Sequence, residues 1–173
     1  MPSTIWTIGH STRSANEFLA LLTGNGIEAL ADVRRFPGSR KYPHFGADAL
    51  RGQLTGAGID YEPFLELGGR RKVQPDSSNT AWRSAAFRGY ADYMQTDEFQ
   101  AGAERLAALT VQKCTAIMCS EAVWWRCHRG LVSDWFKVRG VEVLHIIDEQ
   151  HVAEHPYTPA AHVMNGELDY AAG

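Results

Sequence analysis

One short segment, Met118 to Arg129 (MCSEAVWWRCHR), combines two thiols, a carboxylate, an imidazole and two guanidinium groups. A cysteine reacts or binds metal as the thiolate, which nearby positive charge favours. The pattern predicts that Cys119 closes a buried strand and that Cys127 opens a helix, where the helix dipole also favours thiolate. The segment therefore predicts reactive cysteine chemistry. Cys114, at the other end of the same strand, is assigned to packing.

Three interpretations of this segment stay open. In the first, Cys119 and Cys127 are buried thiols beside a helix cap. In the second, they bind zinc or iron, with His10 or His128 completing the site, although their C-x₇-C spacing is wider than a zinc knuckle. In the third, one cysteine is a nucleophile, Glu121 is a general acid or base, and arginines bind an anion. A dithiol redox pair is a weaker variant, because C-x-x-C is absent.

Basic residues fall in three apparent loops, although the formal net charge is −3. Basic loops on an acidic chain predict an anionic ligand held at one site, and argue against a nucleic-acid coat protein. The plainer alternative is that each loop arginine is simply solvated. The residues are Arg34, Arg35, Arg40 and Lys41; Arg70, Arg71 and Lys72; and Arg126 and Arg129.

Other polar and aromatic residues are candidates for the same site. His10 follows Gly9, which lets backbone or ligand approach closely, and is a candidate proton shuttle or ligand. Asp32 precedes Arg34 and most simply forms an ion pair that orients a guanidinium. Trp124 and Trp125 either stack on a planar ligand such as a nucleobase or cover the core. The run Gly68–Arg71 could wrap a phosphate with backbone N–H groups and guanidiniums.

Strand-like runs alternate with helical patterns along the chain, which predicts an α/β fold. We expect a single three-layer α/β/α domain over residues 1–173, with a mostly parallel sheet of about five strands. Residues 149–173 are expected to pack on it as loop or a short helix. Ligands bind beyond the carboxyl ends of such strands. Polar groups lie at nearly every such end: His10-Ser11, Asp32-Arg34-Arg35, Cys119-Ser120-Glu121 and Asp148.

The composition is that of an ordinary globular domain, with 45% hydrophobic and 21% charged residues. Three cysteines, an odd number, argue against a disulfide framework and favour a reducing compartment. No apolar run is long enough to cross a bilayer, and no signal-peptide pattern is present. We therefore expect a cytoplasmic protein with no membrane partner.

Several motifs taken together resemble the bacterial domain-of-unknown-function family 488. They are TIGHST, DVRRFPGSR, LGGRR, FRGYADYM and MCSEAVWWRCHR, followed by a strand that ends HIID. The resemblance covers nearly the whole chain and implies action on nucleotides or nucleic-acid bases. It also implies a shared site formed by Gly9, His10, Ser11, Asp32, Arg34, Pro37, Ser39, Gly68, Gly69, Cys119, Glu121, Cys127, His128 and Arg129.

We predict an enzyme that acts on a small anionic, nucleotide-like substrate by hydrolysis or group transfer at a base or glycosidic carbon, with no required cofactor. Cys119 would be the nucleophile or thiolate ligand and Glu121 the general acid or base, with Cys127, His10 and His128 assisting. The alternative is a metal- or redox-sensing module, with zinc or iron, that binds nucleic acid without catalysis. The predicted substrate contacts are Ser11, Asp32, Arg34, Arg35, Ser39, Arg40, Gly69, Arg70, Arg71, Trp124 and Arg129.

Overall fold

A computed structural model describes residues 3–38 and 40–172 of the 173-residue chain. The strands are β1 (Thr4–Gly9), β2 (Ala29–Asp32), β3 (Asp60–Pro63), β4 (Thr115–Cys119), β5 (Glu142–Ile146), β6 (Val152–Glu154), β7 (His162–Met164) and β8 (Glu167–Asp169). The α-helices are α1 (Ala15–Gly24), α2 (Ala47–Gly56), α3 (Ala85–Tyr93), α4 (Asp97–Gln112) and α5 (Arg129–Val138). None of the helices in these described ranges is long and apolar enough to cross a membrane.

The main sheet has the strand order β3-β2-β4-β1-β5-β6. All neighbouring pairs among its first five strands are parallel, and β6 alone pairs antiparallel, with β5. The predicted α/β fold with a mostly parallel sheet is therefore confirmed. The sixth strand is a short edge strand, which comes from the tail.

Helices cover both faces of this sheet. Phe18 of α1 and Leu54 of α2 pack in one buried cluster with alternate residues of the strands. Phe99 of α4 and Phe136 of α5 pack in a second cluster, which also includes residues of α3. A strand that is buried on both faces has a nearly continuous apolar sequence. β4 is such a strand, because all five of its residues are buried. The predicted three layers are present.

Local signals place the helices where the sequence predicts them. Ser14 and Glu17 form the predicted capping box at the start of α1. Thr96 caps α4, so the long helical pattern divides close to the predicted boundary at Gln95 to Asp97. Each such cap contributes about 1 kcal/mol.

The connections after β1 and β4 create a crevice at their carboxyl ends. These strands are neighbours, but the chain leaves β1 toward β2 and leaves β4 toward β5, in opposite directions and on opposite faces. Their ends lie level, because Gly9 pairs with Cys119. The N–H of His10 donates to the Cys119 carbonyl at 2.9 Å. Such a switch point is where doubly wound sheets bind ligands.

The tail forms strands where the sequence analysis expected loop or a short helix. Pro156 and Pro159 disfavour a helix. The pair Asn165-Gly166, with φ of 54° and 76°, makes the two-residue turn that joins β7 to β8. This Asn-Gly signal was readable in the sequence.

A buried hydrogen-bond chain attaches the tail to the sheet. Asp134 of α5 accepts from Nε2 of His155 at 2.8 Å, and Nδ1 of His155 lies 2.8 Å from Nε2 of His145. The ring of His145 in turn contacts the hydroxyl of Thr7. Asp134 also accepts from the Tyr170 hydroxyl at 2.8 Å. All five side chains are buried, so the chain links β1, β5, α5 and the tail in one network.

Candidate active site

The carboxyl ends of β1, β2 and β4 open into a cleft with two adjoining parts. The inner cleft, about 280 Å³, is lined by Cys119, Cys127 and His128 together with apolar residues of α3. The outer cleft, about 490 Å³, is lined by His10 and Ser11 together with residues of the loop after β2. Both parts share Arg34, Phe36, Arg70, Ser120 and Glu121. The structure thus brings most of the predicted site residues together.

Two free thiols line the inner cleft. Cys119, the last residue of β4, donates its S–H to the backbone carbonyl of Glu121 at 3.8 Å. Burial, followed by the neighbouring Cys127 thiol, raises the pKa of Cys119 well above its ordinary value. Burial opposes ionisation of Cys127 as well, but the neighbouring Cys119 thiol and the charge and backbone N–H of Arg129 lower its pKa. Cys127 is therefore the more acidic thiol.

His128 is oriented to accept the proton of Cys127. Its Nδ1 lies 3.5 Å from the Cys127 sulfur, and its Nε2 lies 2.9 Å from the carbonyl oxygen of Val33. A carbonyl only accepts, so Nε2 carries the hydrogen and Nδ1 of the neutral ring faces the thiol as an acceptor. Burial is the main cause that lowers the pKa of His128, which keeps the ring neutral at neutral pH.

A fully buried guanidinium lies close to the thiol pair. Arg129 is 1% exposed, and its Nε and Nη1 find no hydrogen-bond partner among the described residues. Its backbone N–H donates to the Cys127 sulfur at 3.4 Å. No carboxylate within residues 3–38 and 40–172 forms an ion pair with it. A buried cation without a counter-ion is costly, and a thiolate at Cys127 would offset that cost.

Arg34 reaches the cleft on a rigid support. Asp32 accepts from its Nε at 2.9 Å and from its Nη2 at 2.7 Å, and the Phe45 carbonyl accepts from Nη1 at 2.7 Å. The hydroxyl of Tyr61 donates to the same carboxylate at 2.6 Å. Asp32 is therefore the orienting partner that the sequence analysis favoured, and it lies behind Arg34 without lining the cleft.

The mouth of the cleft is rich in unpaired positive charge. Within the described residues, no carboxylate pairs with Arg35, Lys41, Arg70 or Arg126, all of which line the cleft. The guanidinium carbons of Arg35 and Arg70 lie 5.5 Å and 5.6 Å from the ring centre of Phe36. That ring is 61% exposed, which makes the mouth both cationic and aromatic.

Two residues of the cleft have left-handed backbone conformations that only glycine adopts without cost. They are Ser11, with φ of 49°, and Arg70, with φ of 61°. Each costs about 1–2 kcal/mol, and such residues cluster at ligand sites. The conformation at Arg70 is held by Arg35, whose Nη1 donates to the Arg70 carbonyl at 2.8 Å.

His10 lies in the outer cleft, apart from the thiols. It is 3% exposed and stacks on Phe45 with ring centres 4.4 Å apart. Its Nδ1 is 3.0 Å from the carbonyl oxygen of Ser11, so Nδ1 donates and Nε2 is the acceptor of the neutral ring. Burial is the main cause that lowers its pKa.

The glycine pair after β3 packs against the site instead of wrapping a ligand. A β-carbon at Gly68 would lie 2.4 Å from Cα of Arg35, and one at Gly69 would lie 2.9 Å from Nδ1 of His128. Gly69 also lines the inner cleft. The absence of side chains therefore lets this loop close one wall of the cleft against His128.

Besides Asp32, four predicted ligand residues within the described ranges do not line the cleft. Arg129 is buried, and Arg40 is exposed outside the lining. Nε of Arg71 donates to the Gly68 carbonyl at 3.0 Å, and its guanidinium covers the ring of a tyrosine of α3. Trp124 stacks on His145, with ring centres 5.0 Å apart, and so covers the core, one of its two predicted roles. Ser39 lies outside the described residues.

Cys114 lies at the opposite end of β4, as predicted, but it is exposed and not packed. The predicted packing role was wrong because this residue precedes the first residue of the strand. Its exposure makes it a remote reference thiol for the two cysteines of the cleft.

Sequence reasoning missed the apolar wall and the aromatic ring of the mouth. Ala86, Phe87 and Tyr90 of α3 form the wall. Phe36 lies at the mouth with Lys41 and Arg126, which belong to the predicted basic loops. The motif FRGYADYM, which contains Phe87 and Tyr90, contributes to the sequence-based prediction only through the family resemblance. Its helical spacing places those two side chains on one face.

The predicted metal site does not form. No group of three or more His, Cys, Asp or Glu within the described residues is placed to hold a metal ion. The thiols of Cys119 and Cys127 face the inner cleft, whereas His10 lines the outer one. His128 lines the inner cleft with the thiols, but within the described residues these three side chains are not placed to hold one ion, and the four-coordinate site that zinc prefers is not formed.

Fold and cleft together define a doubly wound α/β protein with a dithiol and a cationic mouth at the switch point of its sheet. The chain belongs to the family described as domain of unknown function DUF488, whose model matches residues 14–136. The motifs TIGHST and HIID, at residues 7–12 and 145–148, lie outside the matched range. No curated protein and no solved structure matches the chain.

Proposed function

We propose that this protein is an enzyme that acts on a small anionic, nucleotide-like substrate, with Cys127 as its nucleophile. The observation that carries this proposal is the set of groups around one sulfur. The Cys127 sulfur accepts a hydrogen bond from the Arg129 N–H at 3.4 Å and lies 3.5 Å from Nδ1 of His128. A thiol with an adjacent base, a lowered pKa and an oriented imidazole is the arrangement of an activated nucleophile.

The proposed nucleophile is Cys127, whereas the sequence analysis predicts Cys119. Cys119 is 2% exposed, and its pKa is raised well above the ordinary value, mainly by burial. Such a thiol remains protonated at neutral pH. Its S–H donates to the backbone carbonyl of Glu121 at 3.8 Å, so Cys119 helps to hold the segment that carries Glu121.

The chemistry that fits is substitution at a carbon of the substrate. The Cys127 thiol gives its proton to Nδ1 of His128, and the sulfur forms a bond to carbon as the leaving group departs. Glu121, which lines both parts of the cleft, protonates the leaving group and then takes a proton from water. That water, or another acceptor, displaces the sulfur, and His128 returns its proton to Cys127. The outcome is hydrolysis or group transfer.

The substrate class follows from the cleft lining. Arg34, Arg35, Arg70 and Lys41 provide guanidinium and ammonium groups that bind phosphate. The exposed ring of Phe36 and the apolar wall of α3 offer surfaces for a planar base. A nucleotide combines these two features, a flat ring and an anion.

The test is a turnover screen against nucleotides, nucleosides and their phosphate esters, with the intact chain and three variants. Cys127→Ser should abolish turnover, and Cys114→Ser, which changes the remote exposed thiol, should leave it unchanged. Glu121→Gln removes the base of the second step. With a substrate whose leaving group needs no proton, such as a phosphate ester, intact-protein mass spectrometry should therefore detect a substrate fragment bound to Cys127. Full turnover by a folded Cys127→Ser protein would overturn the proposed nucleophile.

Binding of nucleic acid without catalysis is a second candidate, favoured by the unpaired cations and the exposed rings of Phe36 and Trp125. It predicts that affinity for single-stranded DNA or RNA falls steeply as salt rises. A gel-shift titration at low salt checks this, with Arg70→Gln as the variant. No shift at low salt would remove this candidate and leave the small-molecule substrate.

A further inference from the structure

We propose that His10 selects the sugar of the substrate, because its Nε2 accepts a hydrogen bond from a ribose hydroxyl. It would then be a specificity-determining residue of the outer cleft, and the cleft would prefer ribonucleotides to nucleotides that lack the sugar hydroxyls. This inference rests on the proposed nucleotide-like substrate, but it does not depend on the nucleophile or on any step of the reaction.

The ring of His10 is held in one orientation. It stacks on Phe45 with ring centres 4.4 Å apart, and the ring of Tyr42 lies at 68° to it with the centres 6.3 Å apart. Its Nδ1 lies 3.0 Å from the carbonyl oxygen of Ser11. The backbone is fixed as well, since the N–H of His10 donates to the Cys119 carbonyl at 2.9 Å. A ligand that binds this ring therefore orders no flexible side chain.

One polar atom of this rigid ring is unused. Nε2 forms no hydrogen bond with any residue that the structure describes, and it is not one of the fully enclosed atoms. Because Nδ1 donates to the Ser11 carbonyl, Nε2 of the neutral ring is an acceptor. His10 lines the outer cleft although only 3% of the residue is exposed. Nε2 is therefore the ring atom available to a ligand in this cleft.

This acceptor lies among donors. Arg34, Lys41 and Arg70 line the same outer cleft, and their charged groups carry only N–H donors. Those donors match the oxygen atoms of a phosphate. The lone pair of Nε2 repels an anionic oxygen and instead requires an O–H or N–H group. A ligand that satisfies both kinds of group therefore carries a neutral donor close to its anion.

Ribose is the part of a nucleotide that meets this requirement. Its hydroxyl groups are donors, and the sugar joins the phosphate to the base. The phosphate-binding cations lie in the outer cleft, whereas the apolar wall of α3, which offers a surface for the base, lies in the inner cleft. A nucleotide that spans the two parts places its sugar between them, on the side of His10. An amino group of the base would lie farther from the phosphate, beyond the sugar.

The test is equilibrium binding of the ribonucleoside 5′-monophosphates and of their 2′,3′-dideoxy counterparts, measured by isothermal titration calorimetry. It uses the full chain with Cys127→Ser, so that the proposed reaction does not consume the probe. The ribonucleotides should bind about tenfold more tightly, because a dideoxynucleotide leaves the acceptor without a partner. His10→Phe keeps a ring against Phe45 but has no acceptor. In this variant the affinity for ribonucleotides should fall to that for the dideoxy forms, which should not change.

His44→Phe is the matched control. His44 also packs on Phe45, with ring centres 4.2 Å apart, but its Nε2 is already bonded to the Arg13 carbonyl at 2.9 Å. It does not line the outer cleft. This variant should therefore keep the preference for ribonucleotides.

The outcomes separate this inference from the proposed function. Equal affinity for the two nucleotide forms, or a preference that persists in folded His10→Phe, would overturn the inference and leave the enzyme proposal standing. The first of these results needs no His10 variant, so the inference can be refuted even if His10→Phe does not fold. A hydroxyl preference without turnover by the intact chain would support the inference and contradict the enzyme. Absence of binding to every ribonucleotide would overturn the substrate class, and this inference with it.

Discussion

Gly9 lies directly against the backbone carbonyl of Glu121: a β-carbon at Gly9 would be 1.6 Å from that oxygen. The end of β1 and the loop after β4 therefore meet backbone to backbone, which only glycine permits. This contact fixes Ser120 and Glu121 at the edge between the inner and outer cleft. The position of the candidate acid or base thus depends on a residue that has no side chain.

The first prediction is that Gly9→Ala destabilises the fold and displaces the loop after β4. Overpacking a rigid backbone contact costs about 1–3 kcal/mol, and sometimes more. Urea unfolding should show this loss, with Gly52→Ala as the matched control. Gly52 lies within α2 with open space around its added β-carbon, so that variant should gain about 0.5–1 kcal/mol. Equal stability of the two variants would contradict the close contact.

The second prediction concerns the pH dependence of thiol alkylation. Only the thiolate reacts. The pKa is lowered for Cys127 and raised for the exposed Cys114, where partial desolvation and the charge of Glu28 are the causes. Iodoacetamide should therefore modify Cys127 with a midpoint below that of an ordinary cysteine, and Cys114 with a midpoint above it. Peptide mapping separates them, since Cys127 lies on its own tryptic peptide. A common midpoint for both would mean that the surroundings of Cys127 do not favour thiolate.

The fold was predictable because its signals are local. The apolar runs that became β1 to β5, the Ser14/Glu17 capping box and the glycine stops each lie within a few residues of the structure they specify. The parallel sheet followed from their alternation with helices. The tail was mispredicted because its strands depend on pairing with β5 and on the Asn165-Gly166 turn, and their composition is polar.

The sequence predicts the site residues only where they lie at the carboxyl ends of strands. Cys119, Glu121 and Arg34 follow buried strands and therefore reach the cleft. Arg129 also lies next to reactive residues in sequence, but its position in α5 turns it into the core, and no sequence pattern separates it from Arg126. Which of the two cysteines is the nucleophile likewise could not be read from the sequence. The answer depends on contacts between residues far apart in the chain, such as the Val33 carbonyl that orients His128.

The third prediction is that Gly69→Ala slows the reactions of Cys127 without unfolding the protein. The added β-carbon would lie 2.9 Å from Nδ1 of His128, so the ring has to shift away from the Cys127 sulfur. The rate of Cys127 alkylation at neutral pH should fall severalfold, and the rate at Cys114 should not change. Unchanged reactivity of Cys127 in the folded variant would show that His128 does not assist it.

The fourth prediction is that Asp32→Asn is far more damaging than Tyr61→Phe. Asp32 is 1% exposed and binds Arg34 through two hydrogen bonds, and removing one partner of a buried pair costs about 3–5 kcal/mol. Tyr61→Phe removes one hydrogen bond to the same carboxylate, worth about 1 kcal/mol. Chemical denaturation of both variants checks the ranking, and similar losses would show that the carboxylate–guanidinium pair is not the main support.

The last prediction concerns the buried hydrogen-bond chain that attaches the tail. Burial, together with the charges of His155 and Arg129, lowers the pKa of His145 from 6.5 to about 2. Between these values the unfolded chain binds a proton that the folded protein does not. The free energy of unfolding should therefore be retained above pH 6.5 and fall as the pH falls below it, by about 1.4 kcal/mol per pH unit for this group.

Chemical denaturation at several pH values between about 7 and about 5 measures this slope. In His145→Gln the slope should be smaller by about one proton, because glutamine does not titrate. The slopes caused by His10 and His128, whose pKa values are also lowered by burial, should remain in the variant. If the variant keeps the full slope, His145 is protonated in the folded protein near neutral pH. Its Nδ1 would then donate to the Thr7 hydroxyl, whereas in the neutral ring Nε2 donates to His155 and Nδ1 accepts from that hydroxyl.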